Sequence, residues 1–176
     1  MVAWSRIWHS VPLNLDDSQI RRAGEHVLDE VSNDAMVARV SSILSSHPGP
    51  FSSVRYTCSS VGSYDEALKK WFRAFAAKHL EELSFLNLQY PNNVTVHGDL
   101  FRCKSLRRLY LGGVQLPDTG IIARTPHELW EICLYRCILH EWDVENLLTC
   151  SPEVENLYII SSTCGWPLRL QIRSRS

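Results

Sequence analysis

The sequence predicts an α/β fold in which short parallel strands, one from each of several tandem units, lie side by side with helices or turns between them. Three observations carry this. The stretch SLRRLYLGGVQL, Ser105 to Leu116, sets apolar residues at 106, 109, 111, 114 and 116, in steps of three, two, three and two. An amphipathic helix recurs at three and four, and a half-buried strand at two throughout. The rhythm returns in LEELSFLNLQY (Leu80, Leu83, Phe85, Leu88, Tyr90), LWEICLYRCIL (Leu129, Ile132, Leu134, Cys137, Leu139) and VENLYIISSTC (Val154, Leu157, Ile159, Ser162, Cys164). A weaker copy, FSSVRYTCSSV (Phe51, Val54, Tyr56), comes earlier, and the second marked positions 54, 83, 109, 132 and 157 are separated by 29, 26, 23 and 25 residues.

These separations lie in or near the period of about 20–29 residues of leucine-rich repeats. LWEICLYRCIL fits their template L-x-x-L-x-L-x-x-N/C-x-L at every marked position, with Ile132 counted as Leu. The predicted fold is therefore a leucine-rich-repeat solenoid, a curved parallel sheet with convex helices and turns. The rhythm has a physical cause. A strand alternates, so Leu109 and Leu111 point the same way; the chain then turns off the strand, and Val114 or Cys137 folds back into the core. No unit covers its own apolar face, so neighbours must stack.

Each element follows in order. NDAMVARVSSILSSHPGPF reads as a helix ended by Pro48-Gly49-Pro50, with Met36, Val40, Ile43 and Leu44 on its buried face. SYDEALKKWFRAFAAKH reads as a helix with a capping box, Ser63 with Glu66, and a stripe of Leu68, Trp71, Phe72 and Phe75. DLFRCKSL supplies about one turn before the strand at 106–111. DVENLLTCSP repeats the theme, with Asp143 as cap and Pro152 as stop.

Composition narrows the function classes. The 176 residues are 45% hydrophobic and 21% charged with a formal net charge of -1, an ordinary balance for one globular domain. No cationic excess points to nucleic acid, and no apolar run approaches the ~18 residues of a membrane helix. MVAWSRIWHS holds no stretch that would serve as a signal peptide, and the six cysteines contain no CxxC. Reduced thiols in the cytoplasm or nucleus are expected.

The outward positions of each strand form the candidate binding surface: Glu82, Ser84 and Leu86; Arg108, Tyr110 and Gly112; Glu131, Cys133 and Tyr135; Asn156, Tyr158 and Ile160. Tyr110 and Tyr158, with Cys133 between, share one position on successive strands, and tyrosine suits interface anchors. Aromatic residues also suit strands wherever they sit. His127, Cys133, Cys137 and His140 have soft-ligand types within fourteen residues, but the template sends Cys137 inward and Cys133 outward, so neither zinc nor another metal is expected. Cys133 beside a histidine lacks a positioned third group, and Gly112-Gly113 lacks a P-loop lysine. No catalytic residue and no cofactor is assigned. Trp71, Trp130, Trp142 and Trp166 read as packing anchors.

IWHSVPLNLDD (Ile7–Asp17), SSHPGPFSSVR (Ser45–Arg55), GDLFRCKSLRRLYLGG (Gly98–Gly113) and LLTCSPEVENL (Leu147–Leu157) together resemble the plant F-box/leucine-rich-repeat proteins, especially the large grass group. The resemblance covers essentially the whole chain. It implies a substrate receptor of an SCF-type cullin ubiquitin ligase, in which an F-box docks on a Skp-type adaptor and the concave repeat face binds the target protein. It implies no enzyme activity in the chain itself. AWSRIWHSVPLNLDD matches only the closing piece of the F-box, with Trp4, Ile7 and Trp8 as the remnant of the adaptor-binding helix. The implied organisation is an F-box remnant over 1–15, a connecting helix and first irregular repeat over 16–62, and leucine-rich repeats over 63–176. A chain cut within the F-box, and short at its C-terminus, is expected to bind little adaptor alone. The alternative expectation is a repeat fragment or decoy that binds a partner without ligase recruitment, or a non-functional copy.

Overall fold

The computed structural model describes residues 11–59, 64–89, 94–122 and 126–164. Its strands are β1 (Leu13–Asp16), β2 (Phe51–Cys58), β3 (Glu82–Asn87), β4 (Arg108–Gly112), β5 (Glu131–Tyr135), β6 (Ile138–Leu139), β7 (Asn156–Ile160) and β8 (Thr163–Cys164). Among the described residues six of them form one sheet in the order β1-β2-β3-β4-β5-β7, every pair parallel. Alternation within each strand puts two residues on the inner face, and the equal repeats bring these into register. Leu15, Val54, Leu83, Leu109, Ile132 and Leu157 therefore stand in one column, and Tyr56, Phe85, Leu111, Leu134 and Ile159 in the next. All are buried except Leu157 and Ile159, which are half-buried.

The helices cover this inner face. α1 (Asp17–Ile20) and α2 (Glu30–Ser46) precede β2, α3 (Asp65–Ala77) follows it, and α4 (Thr119–Ile122) and α5 (Asp143–Cys150) serve the later repeats, with a 3-10 helix at Gly98–Arg102 before β4. Asp29 caps α2 by accepting from the backbone of Val31 and Ser32. The α3 stripe meets the columns directly. Trp71 sits edge-on to Tyr56 with ring centroids 5.0 Å apart, and Phe72 to Phe85 at 6.1 Å. The Trp71 indole donates to the Ser41 hydroxyl on α2 at 2.9 Å, so the buried N–H is satisfied. No described helix is long and apolar enough to cross a membrane.

Where the chain leaves a strand, a polar or sulfur-bearing side chain catches the backbone of the neighbouring turn. Asn87 is buried and donates from Nδ2 to the Gly113 carbonyl at 3.0 Å, while its Oδ1 accepts from the Gln89 amide. The Cys137 Sγ lies 3.4 Å from the Leu111 carbonyl, and its amide donates to Ser162 Oγ at 3.0 Å. Ser162 in turn donates to the Leu134 carbonyl at 3.0 Å. Beyond the turns β6 and β8 pair in parallel, and Gln115 bridges Thr95 and Ile138, so a second narrow ladder begins.

Four expectations need correction. Leu88, counted with the inward positions, is 46% exposed, because the preceding Asn87 takes the inward turn site. Residues 13–15, grouped with a helical remnant, belong to β1, since LNLD alternates and Leu15 continues the column. Helix α3 starts at Asp65 with Tyr64 at its cap and no side-chain cap bond; Ser63 lies outside the described residues, and Glu66 pairs with Lys69 at 3.0 Å. Asp65 and Glu66 instead supply negative charge to the first turn, where the helix dipole favours it. Asp143 is the first residue of α5 and not its cap. Its carboxylate folds back to accept from the His140 amide at 2.6 Å and the Thr119 hydroxyl at 2.8 Å.

An ion pair covers the part of β2 that β1 leaves unpaired. β1 opposes only part of the longer β2. Arg21, at the end of α1, reaches past it to donate to the Thr57 carbonyl at 2.8 Å, held by Asp17 at 3.0 Å. Both side chains are largely buried, which blunts an edge that would otherwise offer free backbone groups.

Gly113 has φ 64, and a Cβ there would run into the Asn87 carbonyl oxygen. Gly113→Ala is therefore expected to destabilise by more than about 1 kcal/mol, read as a lower urea midpoint with unchanged slope. His127 gives a second expectation. Burial pushes its imidazole below the ordinary value, and Nε2 has no hydrogen-bond partner among the described residues. The folded chain therefore protonates this ring at lower pH than the unfolded chain, which takes up the proton near about pH 6.5. Stability is thus whole above that pH and falls as the pH drops, by up to about 1.4 kcal/mol per unit. In thermal melts between about pH 7.5 and 5.5 the wild type should lose stability relative to His127→Leu on acidification; parallel curves would contradict this.

Candidate protein-interaction surface

The face opposite the helices carries the remaining side chains in three rows that cross the strands. Strand register sets Asn14, Ser53, Glu82, Arg108, Glu131 and Asn156 in the first row, at the N-terminal side. The second row is Asp16, Arg55, Ser84, Tyr110, Cys133 and Tyr158. The third is Thr57, Leu86, Gly112, Tyr135 and Ile160. The outward residues assigned from sequence thus share one face. Tyr110, Cys133 and Tyr158 are direct neighbours, and Tyr135 lies one row on. Trp4, Ile7 and Trp8 lie outside the described residues.

The first two rows are charged and internally paired. Arg108 donates to Glu82 at 2.9 Å and lays its guanidinium 5.1 Å from the centre of the Trp130 ring. Arg55 stands 3.7 Å from Asp16. Burial, with the Glu131 carboxylate nearby, pushes the Tyr110 phenol up to about 12. Asn14, Ser52, Ser53, Glu81, Arg107 and Trp130 join Glu82 and Arg108 around a cleft of about 400 Å³ at the N-terminal ends of the strands. Trp130 was legible only as a packing residue, because it stands one position before β5, outside the alternation.

The third row is apolar. Gly112 is buried because Leu86 leans across it: a Cβ on Gly112 would meet the tip of Leu86, and Tyr135 lies at 3.6 Å from the same point. Gly112 therefore lends no side chain to the surface, contrary to the expectation that it points outward. Tyr135, Tyr158 and Ile160 are 40%, 47% and 46% exposed. Arg136 lays its guanidinium 5.9 Å from the Tyr135 ring centre.

The soft-ligand residues diverge. Cys137 is in the core, Cys133 is on the open face, His127 is buried against Phe101 at 6.1 Å, and His140 is exposed near Asp143. Among the described residues no group of three or more His, Cys, Asp or Glu could hold a metal ion. Burial, with Glu131 nearby, pushes the Cys133 thiol up, which keeps it protonated and a poor nucleophile. Of the tryptophans read as packing anchors, Trp71 is buried but Trp142 is 61% exposed and is no packing anchor. It lines a second cleft, about 610 Å³, between residues 115–120 and 140–146 on the turn side of the repeats. Trp166 lies outside the described residues.

No curated protein and no solved structure matches the chain. A family model does match: that of the LRR repeats of FBD-associated F-box protein At5g56370, over residues 68–176. The span holds β3 to β8 and the parts of the three rows that these strands carry, and it is well over half of the sequence. By its repeats the chain belongs to that F-box/leucine-rich-repeat family.

Proposed function

We propose that the chain is a target-recognition module of an SCF-type ubiquitin ligase, with the repeats wound as a solenoid and the open sheet on its concave side. It contributes binding and no chemistry of its own. The single observation that carries this is the open face. A row of aromatic and aliphatic side chains sits beside paired charges on the sheet, and α2, α3 and α5 pack their apolar residues on the other side. Family membership supports a protein partner over a small ligand. A Skp-type adaptor and a cullin are the further partners this reading entails, engaged through the F-box piece that includes Trp4, Ile7 and Trp8. The free thiols of Cys58, Cys103, Cys133, Cys137 and Cys150 support a cytoplasmic or nuclear setting.

The residues that read the target are Glu82, Ser84, Arg108, Tyr110, Glu131, Cys133, Tyr135, Asn156 and Tyr158, with the tyrosines as anchors. Buried aromatic anchors dominate such interfaces, while paired rim charges contribute little. The test is affinity capture with the full chain beside Tyr110→Ser/Tyr158→Ser. A specific protein should be retained by the wild type and weakened at least tenfold by the double variant, about 1.4 kcal/mol. Equal retention by both chains would overturn the placement of the site.

A further inference from the structure

We infer that the target meets this face through uncharged aromatic or aliphatic side chains, seated on the band made by Leu86, Tyr135 and Ile160 with Cys133 and Tyr158 beside them. The inference rests on the target-recognition reading and adds the chemistry and position of the contact. Leu86 bends over Gly112 and approaches Tyr135, so two strands that could leave a notch present a continuous apolar strip. Ile160 continues the strip on β7, and its neighbours are half exposed. Four strands about 4.8 Å apart make a band roughly 14 Å across, room for two or three side chains of an extended segment.

Charge complementarity excludes an ionic anchor. The charges beside the band are paired within the face: Arg108 with Glu82 and Trp130, Arg55 with Asp16, and Arg136 over the Tyr135 ring. A charged target residue would have to break one of these contacts and shed its own water. An apolar residue covers bare surface without breaking anything. The paired rows then act as a polar rim around an apolar centre, the usual layout of a protein interface.

The experiment uses a displayed library of random twelve-residue peptides selected on the immobilised full chain. The expected peptides share two or more aromatic or aliphatic anchors and little net charge. Their affinity should change less than about twofold between about 0.1 and 0.5 M salt. It should fall at least tenfold on Ile160→Asp, a half-exposed position where the fold is retained by circular dichroism, and less than about twofold on Arg55→Gln, an exposed charge outside the band. Gly112→Ala offers a milder check: it displaces the flexible tip of Leu86 and should weaken binding without unfolding the chain. A charged consensus that salt and Arg55→Gln abolish would overturn this inference and leave target recognition standing. Recovery of no peptide that requires the open face would bring down both. A chain that dimerises, and becomes monomeric with Ile160→Asp, would assign the band to a second copy and overturn the inference as well.

Discussion

The structure depends on one constraint: each inward side chain must land directly beside its counterpart in the next repeat. Val54, Leu83, Leu109 and Ile132 exclude water only as a column, because a strand of five or six residues has too little apolar area to stand alone. In-register parallel pairing supplies that alignment, and pairing in turn needs turns that return the chain to the same height. Asn87, Cys137 and Ser162 meet that need by bonding the backbone of the adjacent unit. A slip of one residue would turn every column outward and bury the charged rows.

The same constraint produces the open face. Once Leu83 and Phe85 are committed inward, Glu82, Ser84 and Leu86 have no choice but to face out, and their neighbours on β4, β5 and β7 follow. The sheet therefore displays its outward residues at fixed spacing with little conformational freedom. What those residues are is not dictated by the frame. Stability comes from the columns, and the proposed recognition surface lies on the opposite side of the same strands.

Much of the architecture was legible because it rests on periodicity. Strands β3, β4, β5 and β7, the α3 stripe and the short turn before β4 all follow from the spacing of apolar residues. The failures share a different cause. Leu88 follows the rhythm yet lies exposed, since hydropathy cannot register that Asn87 satisfies a buried turn. β1 escaped notice because four residues carry too little pattern, and the pairing with β2 that stabilises them is a distant contact. Asp143 resembles a cap by position, but its carboxylate is taken by His140 and Thr119.

The candidate face was legible as a set of positions and less so as a surface. Alternation named its residues, but the lean of Leu86 over Gly112 and the stacking of Arg108 on Trp130 are properties of packed side chains. The most direct measurement of the account is the set of methyl contacts along the inner column. In methyl-labelled protein, cross-peaks should link Leu83 to Leu109, Leu109 to Ile132 and Ile132 to Leu157, with none between Leu83 and Ile132, whose strands are about 10 Å apart. Contacts that skip a repeat, or a missing Leu109–Ile132 link, would contradict the in-register stack.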